Sequence, residues 1–141
     1  MNIECAKYEY AEEISNLMIE LGYETTRELT EIKLQFISNS ELDEVFVAIE
    51  DNRIVGVISC HLTTLFHVLG MCGRITSLVV NKNVRGSGIG QALVEKADCY
   101  FKENNCIKAE VTSGEHRNGA HQFYVNQGYV EDQRRFIKLY N

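Results

Sequence analysis

The sequence holds 141 residues, enough for one compact domain that builds its own core without disulfides or metal staples. Apolar residues make up 45% of it and charged residues 24%, the ordinary balance of a globular chain. Its net charge of −6 argues against non-specific nucleic-acid binding, which needs a basic footprint.

There is no proline, so Gly, Asn and Asp must make the turns. Ile3 to Lys7 is a short strand candidate. In "YAEEISNLMIELG", Ile14, Leu17, Met18 and Leu21 fall on one helix face, with Gly22 as the stop. "TTRELTEIKLQFIS" repeats the helical spacing with Leu29, Ile32, Leu34, Phe36 and Ile37, capped by Thr25 or Thr26. "EVFVAIEDNRIVGVISCHLTTLF" reads as two strands joined at Asp51-Asn52, and "MCGRITSLVV" as a third β run ending near Asn81. Gly88 to Asn104 is helical, with Leu93, Val94, Ala97 and Phe101 on one side. "CIKAEVTS" is a further strand, and "HRNGAHQFYVNQ" a short helix stopped by Gly128. Segments near Tyr129–Glu131 and Arg135–Tyr140 read as a closing hairpin. The order implies an α/β domain with a mixed sheet, one domain over residues 1–141.

Five cysteines, at 5, 60, 72, 99 and 106, form no framework spacing and lie mostly in apolar segments. They are expected to be reduced and mainly core-filling, in a reducing compartment. The opening "MNIECAKYEY" lacks the basic and apolar regions of a signal peptide, and no apolar run is long enough to span a bilayer. A cytoplasmic location without membrane contact is the expectation.

The chemistry begins at "VRGSGIGQ", where a β run gives way to a glycine turn and a helix. Unpartnered amides and the dipole at a helix N-terminus attract phosphate, and glycines let the main chain approach it. Arg85 adds charge-assisted hydrogen bonding. No Gly-Lys-Ser/Thr follows, which excludes a P-loop, and the glycine spacing fits a dinucleotide fingerprint poorly. A purely structural turn is the remaining alternative.

The stretch Arg85-Gly86-Ser87-Gly88-Ile89-Gly90 resembles the acetyl-CoA motif of the GNAT superfamily of N-acetyltransferases, R/Q-x-x-G-x-G/A. "AHQFYVNQGY", Ala120 to Tyr129, resembles the family's second motif, A-x-x-F-Y-x-x-x-G-F/Y, in the matching order and separation. The resemblance implies a mixed, mostly antiparallel sheet splayed between strands 4 and 5 and flanked by about four helices. It implies acetyl-CoA as co-substrate. The main chain of Leu78, Val79 and Val80 would meet the pantetheine arm, and the amides of Arg85, Gly86, Ser87, Gly88, Ile89, Gly90 and Gln91 the pyrophosphate. Thr112 and Ser113 would line the other side of the splay. Where relatives often carry an asparagine, three residues before Ala120, stands Arg117; the cofactor contact is open between it and Asn118.

The same resemblance implies roles in acetyl transfer. Tyr124 matches the general acid that protonates the departing thiolate. An amide near Val79 would stabilise the carbonyl oxygen. The glutamate many relatives carry on the fourth strand is absent, its neighbourhood reading Thr76 and Ser77. The base is left to a water relay from Glu110, Glu24, His67 or His116. Tyr23 and Glu24, between the first two helices, are candidate acceptor contacts.

The chain is also similar to the branch that includes aminoalkylphosphonate N-acetyltransferases. That likeness would bring His61, His67, His121 and the Arg134-Arg135 pair toward an anionic acceptor group. Cys60, His61, His67 and Cys72 lack zinc-site spacing, so no metal is expected. The expectation is an N-acetyltransferase acting on a small-molecule amine, as monomer or homodimer. The alternatives are a non-catalytic acyl-CoA sensor and a protein acetyltransferase.

Overall fold

Among the described residues, alternating β-branched and polar residues build five strands, and apolar residues at helical spacing build four helices packed on them. The computed structural model describes residues 1–112, 118–132 and 135–140, with the backbone of Asn118 but not its side chain. In chain order the elements are β1 (Asn2–Cys5), α1 (Ala11–Glu20), α2 (Arg27–Ser38), β2 (Asp43–Glu50), β3 (Arg53–Thr64), β4 (Met71–Val80), α3 (Ile89–Glu103), β5 (Cys106–Val111) and α4 (Asn118–Asn126). The sheet runs β1-β2-β3-β4-β5, antiparallel except for the parallel β4–β5 pair. A parallel pair needs a crossover, and α3 supplies it. The β2–β3 turn sits at Asp51 and Asn52, both left-handed with φ of 52° and 62°, which matches the twist of a tight hairpin.

Each sheet face carries its own core. On one face Phe46, Ile58, Ile75 and the α3 residues Leu93, Val94, Ala97 and Phe101 are buried together. On the other, Ala11, Ile14 and Leu17 of α1 and Leu34 of α2 cover Val45, Val47, Val57 and Val79. The α3 stripe is the one its sequence periodicity marks. Gly73 in β4 makes room for it: a Cβ there would lie 2.3 Å from the Phe101 ring.

Two expectations need correction. In α2, Thr30 and Leu34 are buried, whereas Leu29, Ile32 and Phe36 are exposed. The helix has apolar residues on two lines and α1 packs beside only one of them, so periodicity alone could not select the buried line. Thr26 is the N-cap, its Oγ1 accepting from the Leu29 amide at 3.1 Å. The closing hairpin is also absent: residues 129–132 and 135–140 are not strands. Alternation marks the two faces of a strand but does not specify which main chain will pair with it. Phe136, Leu139 and Tyr140 are exposed.

Gly73→Ala is expected to lower unfolding free energy by about 1–3 kcal/mol, because Phe101 has no room to retreat from an added methyl. Urea denaturation of the two proteins measures it; an unchanged midpoint would mean that α3 does not press on β4 as described.

Candidate functional site

The site begins with a bulge. β3 and β4 pair in register from Gly56↔Val80 to Ser59↔Ser77, then resume at Cys60↔Ile75, leaving Thr76 as the extra residue. A bulge bends its strand and increases its twist. β4 and β5 part at that point: their last pair is Ile75↔Val111, while β4 continues to Val80. The edge of β4 from Thr76 to Val80 that turns away from β3 therefore meets no strand among the described residues. Its amides and carbonyls are available to a ligand. This is the splay expected between strands 4 and 5, and Leu78, Val79 and Val80 lie on its free edge.

At the open end of β4 the chain passes through the short turn Lys82–Val84 into the glycine turn. Gly86 and Gly88 both take φ of 85°, a region where other residues are strained, and Gly88 is the N-cap of α3. A Cβ built on either would meet nothing within 4 Å. The turn therefore opens to solvent and is not packed against protein. The Ala92 amide bonds to the Gly88 carbonyl, which leaves the first-turn amides of Ile89, Gly90 and Gln91 without helical partners. Ser87 Oγ donates to the Val84 carbonyl and closes the turn, and Arg85 is beside it. Gly90 serves packing instead. A Cβ there would lie 3.3 Å from Phe123 and 3.7 Å from Val80, so its small size lets α4 approach β4.

That approach positions Tyr124. Its ring makes edge contacts with Phe123 at 5.2 Å and Tyr129 at 5.7 Å, and it packs against the α3-side core. The Tyr129 hydroxyl is buried with no hydrogen-bond partner among the described residues, and burial pushes its pKa up. Tyr124 thus stands beside a buried polar group that the described residues leave without a hydrogen bond.

The sheet face opposite α3 is divided. Its apolar half lies under α1 and α2; beyond them a row of polar pairs crosses the strands. His61 Nδ1 lies 2.7 Å from Asp43 Oδ1, Ser59 and Thr76 share a hydrogen bond, Arg74 Nη2 donates to Thr112 Oγ1 at 3.0 Å, and Cys72 Sγ donates to Glu110 at 2.9 Å. Thr112 thus comes to the splay, while the Glu110 carboxylate is held at Cys72 on the paired part of the strands. Tyr23 and Glu24 come together at the α1–α2 connection, lining a shallow pocket of about 530 Å³ with Ile19, Thr25, Thr26 and Leu29. Tyr23 packs on the cluster that holds Val79.

His67 is not brought to this region. It is exposed at the tip of the β3–β4 hairpin, and β4 runs five residues from Met71 to Thr76, or about 15–20 Å at strand rise. His121 pairs with Glu131 at 2.9 Å on the surface. Ser113, His116, Arg117 and Arg134 lie outside the described residues, as does the Asn118 side chain.

Arg74, Ser59 and Asp43 belong to no sequence motif. Their signal is the polar alternation of "SCH" and "RITS" inside otherwise apolar strands, which acquires meaning only with the cross-strand register. Cys60 and His61 face opposite ways, Cys60 into the α3-side core and His61 onto the polar row. Among the described residues no three His, Cys, Asp or Glu side chains converge as a metal site, and no helix is long and apolar enough to cross a membrane.

The cysteines divide more evenly than expected. Cys60 and Cys72 are buried, Cys106 is half-buried, and Cys5 and Cys99 are exposed. Cys99 lies on the outer side of α3, and Cys5 ends the edge strand β1. Burial, reinforced by Glu44, pushes the Cys60 thiol up to about 12. Burial and then the Glu110 hydrogen bond push Cys72 up to about 11.

The acetyltransferase (GNAT) family profile matches residues 9–129. An aminoalkylphosphonate N-acetyltransferase of Salmonella typhimurium is 32% identical over 92 residues, which are 65% of this chain and 60% of that protein. Among solved structures, a putative acetyltransferase from Agrobacterium tumefaciens superposes with a TM-score of 0.89 at 21% identity, covering 99% of this chain and 100% of that one. An aminoglycoside 6'-N-acetyltransferase from Acinetobacter haemolyticus superposes with a TM-score of 0.84 at 14% identity over 100% and 99% of the two chains. At those identities the structures share the fold.

With thiolate as the reactive form, Cys99 is expected to react first with iodoacetamide at neutral pH, and Cys60 and Cys72 at least about 100-fold more slowly until denaturant is added. Peptide mass spectrometry over time reads the order; early labelling of Cys72 would contradict its buried, protonated state.

Proposed function

The chain belongs to the acetyltransferase (GNAT) family, and from that premise we propose that it moves an acetyl group from acetyl-CoA to a primary amine of a small molecule. The observation that carries this reading is the pair of left-handed glycines at the α3 N-terminus, opening to space beside the free edge of β4. The donor set fits the donor molecule. First-turn amides of α3 and Arg85 suit a pyrophosphate, and the edge of β4 over Leu78 to Val80 that β5 leaves unpaired suits an amide-bearing arm. The similar Salmonella protein is an aminoalkylphosphonate N-acetyltransferase, which favours a small acceptor.

In this reading the amine lone pair forms the N–C bond at the thioester carbonyl as the C–S bond breaks. An amide on the free edge near Val79 donates to the carbonyl oxygen as charge develops there, an effect worth about 3–4 kcal/mol per donor in preorganised sites. Tyr124 gives its hydroxyl proton to the leaving sulfur. The amine must first lose its own proton. No carboxylate stands at Thr76 or Ser77, so that proton leaves through a water relay, for which Glu110, one rung before the end of the β4–β5 pairing, is the candidate carboxylate.

Release of CoA thiol in the presence of an amine panel tests the reading. Tyr124→Phe is expected to lower kcat about 10²-fold with KM for acetyl-CoA little changed, the pattern of an interaction made only in the transition state. Full activity of that variant would remove Tyr124 as the acid. Tight acetyl-CoA binding without turnover of any amine would favour a sensor.

A further inference from the structure

Cross-strand register lines up titratable side chains on one rung of the sheet. Asp43 of β2 pairs with His61 of β3, His61 with Arg74 of β4, and Arg74 with Glu110 of β5. Partner positions on neighbouring strands lie about 5 Å apart, and their side chains project to the same face. Among these residues only Asp43 and His61 join each other. His61 Nδ1 lies 2.7 Å from Asp43 Oδ1, and Ser40 Oγ donates to the other carboxylate oxygen at 2.7 Å. Arg74 is drawn toward β5 by the Thr112 hydroxyl, and Glu110 is held at Cys72.

A carboxylate only accepts hydrogen bonds, so Nδ1 carries the proton shared with Asp43 and the lone pair is left on Nε2. The two ring nitrogens point nearly opposite ways, which turns Nε2 away from β2. Among the described residues no hydrogen bond engages it. A base held in one tautomer by a backing carboxylate has this arrangement, and here Ser40 fixes the carboxylate in turn. The His61 side chain is 38% exposed, so a proton taken up there can pass on to solvent.

The next side chain on the same face of β3 is Ser59, about 6.5–7 Å along the strand. Its hydroxyl shares a hydrogen bond with Thr76, the bulge residue at which the free edge of β4 begins. Hydroxyls both donate and accept, so this pair can pass a proton, and one water spans the gap from it to Nε2. Glu110 has no such connection, since its carboxylate is turned to Cys72 on the paired part of the strands.

Resting on the acetyl-transfer reading, we propose that the relay ends at His61: oriented by Asp43, it receives the proton that the acceptor amine must lose. The ammonium beside Thr76 gives its proton through the Thr76–Ser59 hydroxyls and one water to Nε2. Asp43 balances the imidazolium so formed, which discharges to bulk water, while the freed amine lone pair attacks the thioester. No carboxylate is then needed on β4, where Thr76 and Ser77 stand. With a lone pair outward and no donor, His61 serves as a base and not as a partner for an anionic group.

The test compares thiol release with the best alkylamine of the panel, an ammonium at neutral pH, and with methoxyamine, which is already neutral there. His61→Gln is expected to lower kcat for the alkylamine about 10²-fold with KM for acetyl-CoA within about twofold, and to leave methoxyamine turnover within about threefold. Asp43→Asn should show the same split, with a loss of at least about 10-fold for the alkylamine, because an amide can hold the ring in the other tautomer. Added imidazole should restore alkylamine turnover to His61→Ala, which a variant that had merely lost its fold does not allow. An equal loss for both amines, or no rescue by imidazole, would overturn the inference. If no amine releases thiol, acetyl transfer itself fails, and nitrogen NMR of the imidazoles in the full chain decides the rest. A proton on Nδ1 of His61 that Asp43→Asn displaces upholds the oriented base, and a proton on Nε2 in the wild type overturns it.

Discussion

One extra residue in β4 governs the rest of the site. Antiparallel pairing with β3 holds β4 at both ends, so the bulge at Thr76 cannot be relieved by sliding the register. The strand bends there instead and parts from β5 after the Ile75↔Val111 pair. Main-chain groups that any interior strand would spend on its neighbour stay free over Thr76 to Val80. A ligand with amides of its own can complete that edge as a strand would. The bulge also sets the facing of the side chains before it, Arg74 and Cys72, relative to Val79 after it, and so separates a polar half of the sheet from an apolar one.

The glycine turn shows how residues of one type serve different ends. Gly86 and Gly88 are needed for a left-handed backbone beside open space. Gly90, two residues on, is needed because Phe123 and Val80 leave little room for a side chain. The first pair shapes an open turn, and the third brings α4, and with it Tyr124, against β4. The glycine cradle and the position of Tyr124 are thereby tied to the same turn of α3, which is anchored in the core by Ile89 and Leu93.

The two faces of the sheet carry different responsibilities. The α3 face is closed by large apolar side chains and supplies rigidity, as close-packed interiors do. The opposite face is covered by α1 and α2 only over Val45, Val47, Val57 and Val79. Its remainder bears paired polar side chains on four strands, each satisfied by a cross-strand neighbour. Such pairs hold their rotamers and present what is left of their hydrogen-bonding capacity outward, a preorganised surface in the sense that matters for recognition.

Much of this was legible in the amino-acid order alone. Strand and helix periodicities, the turn at Asp51-Asn52, the buried stripe of α3 and the glycine cradle all depend on neighbours a few residues away, and local sterics decide them. The two motifs then imply the family, and so the donor. Other features depend on contacts between distant segments. Which apolar line of α2 is buried was settled by where α1 lies. Whether the alternation after Gly128 pairs as a hairpin depends on main-chain partners that periodicity does not specify. The meeting of Arg74, Glu110 and Thr112 was settled by the parallel register of β4 on β5, and the isolation of His67 by the direction in which the β3–β4 hairpin points. Sequence determined the elements and the glycine cradle, because those are local; the polar row beside the splay was decided by tertiary structure, because its residues come from four strands and become neighbours only through cross-strand pairing.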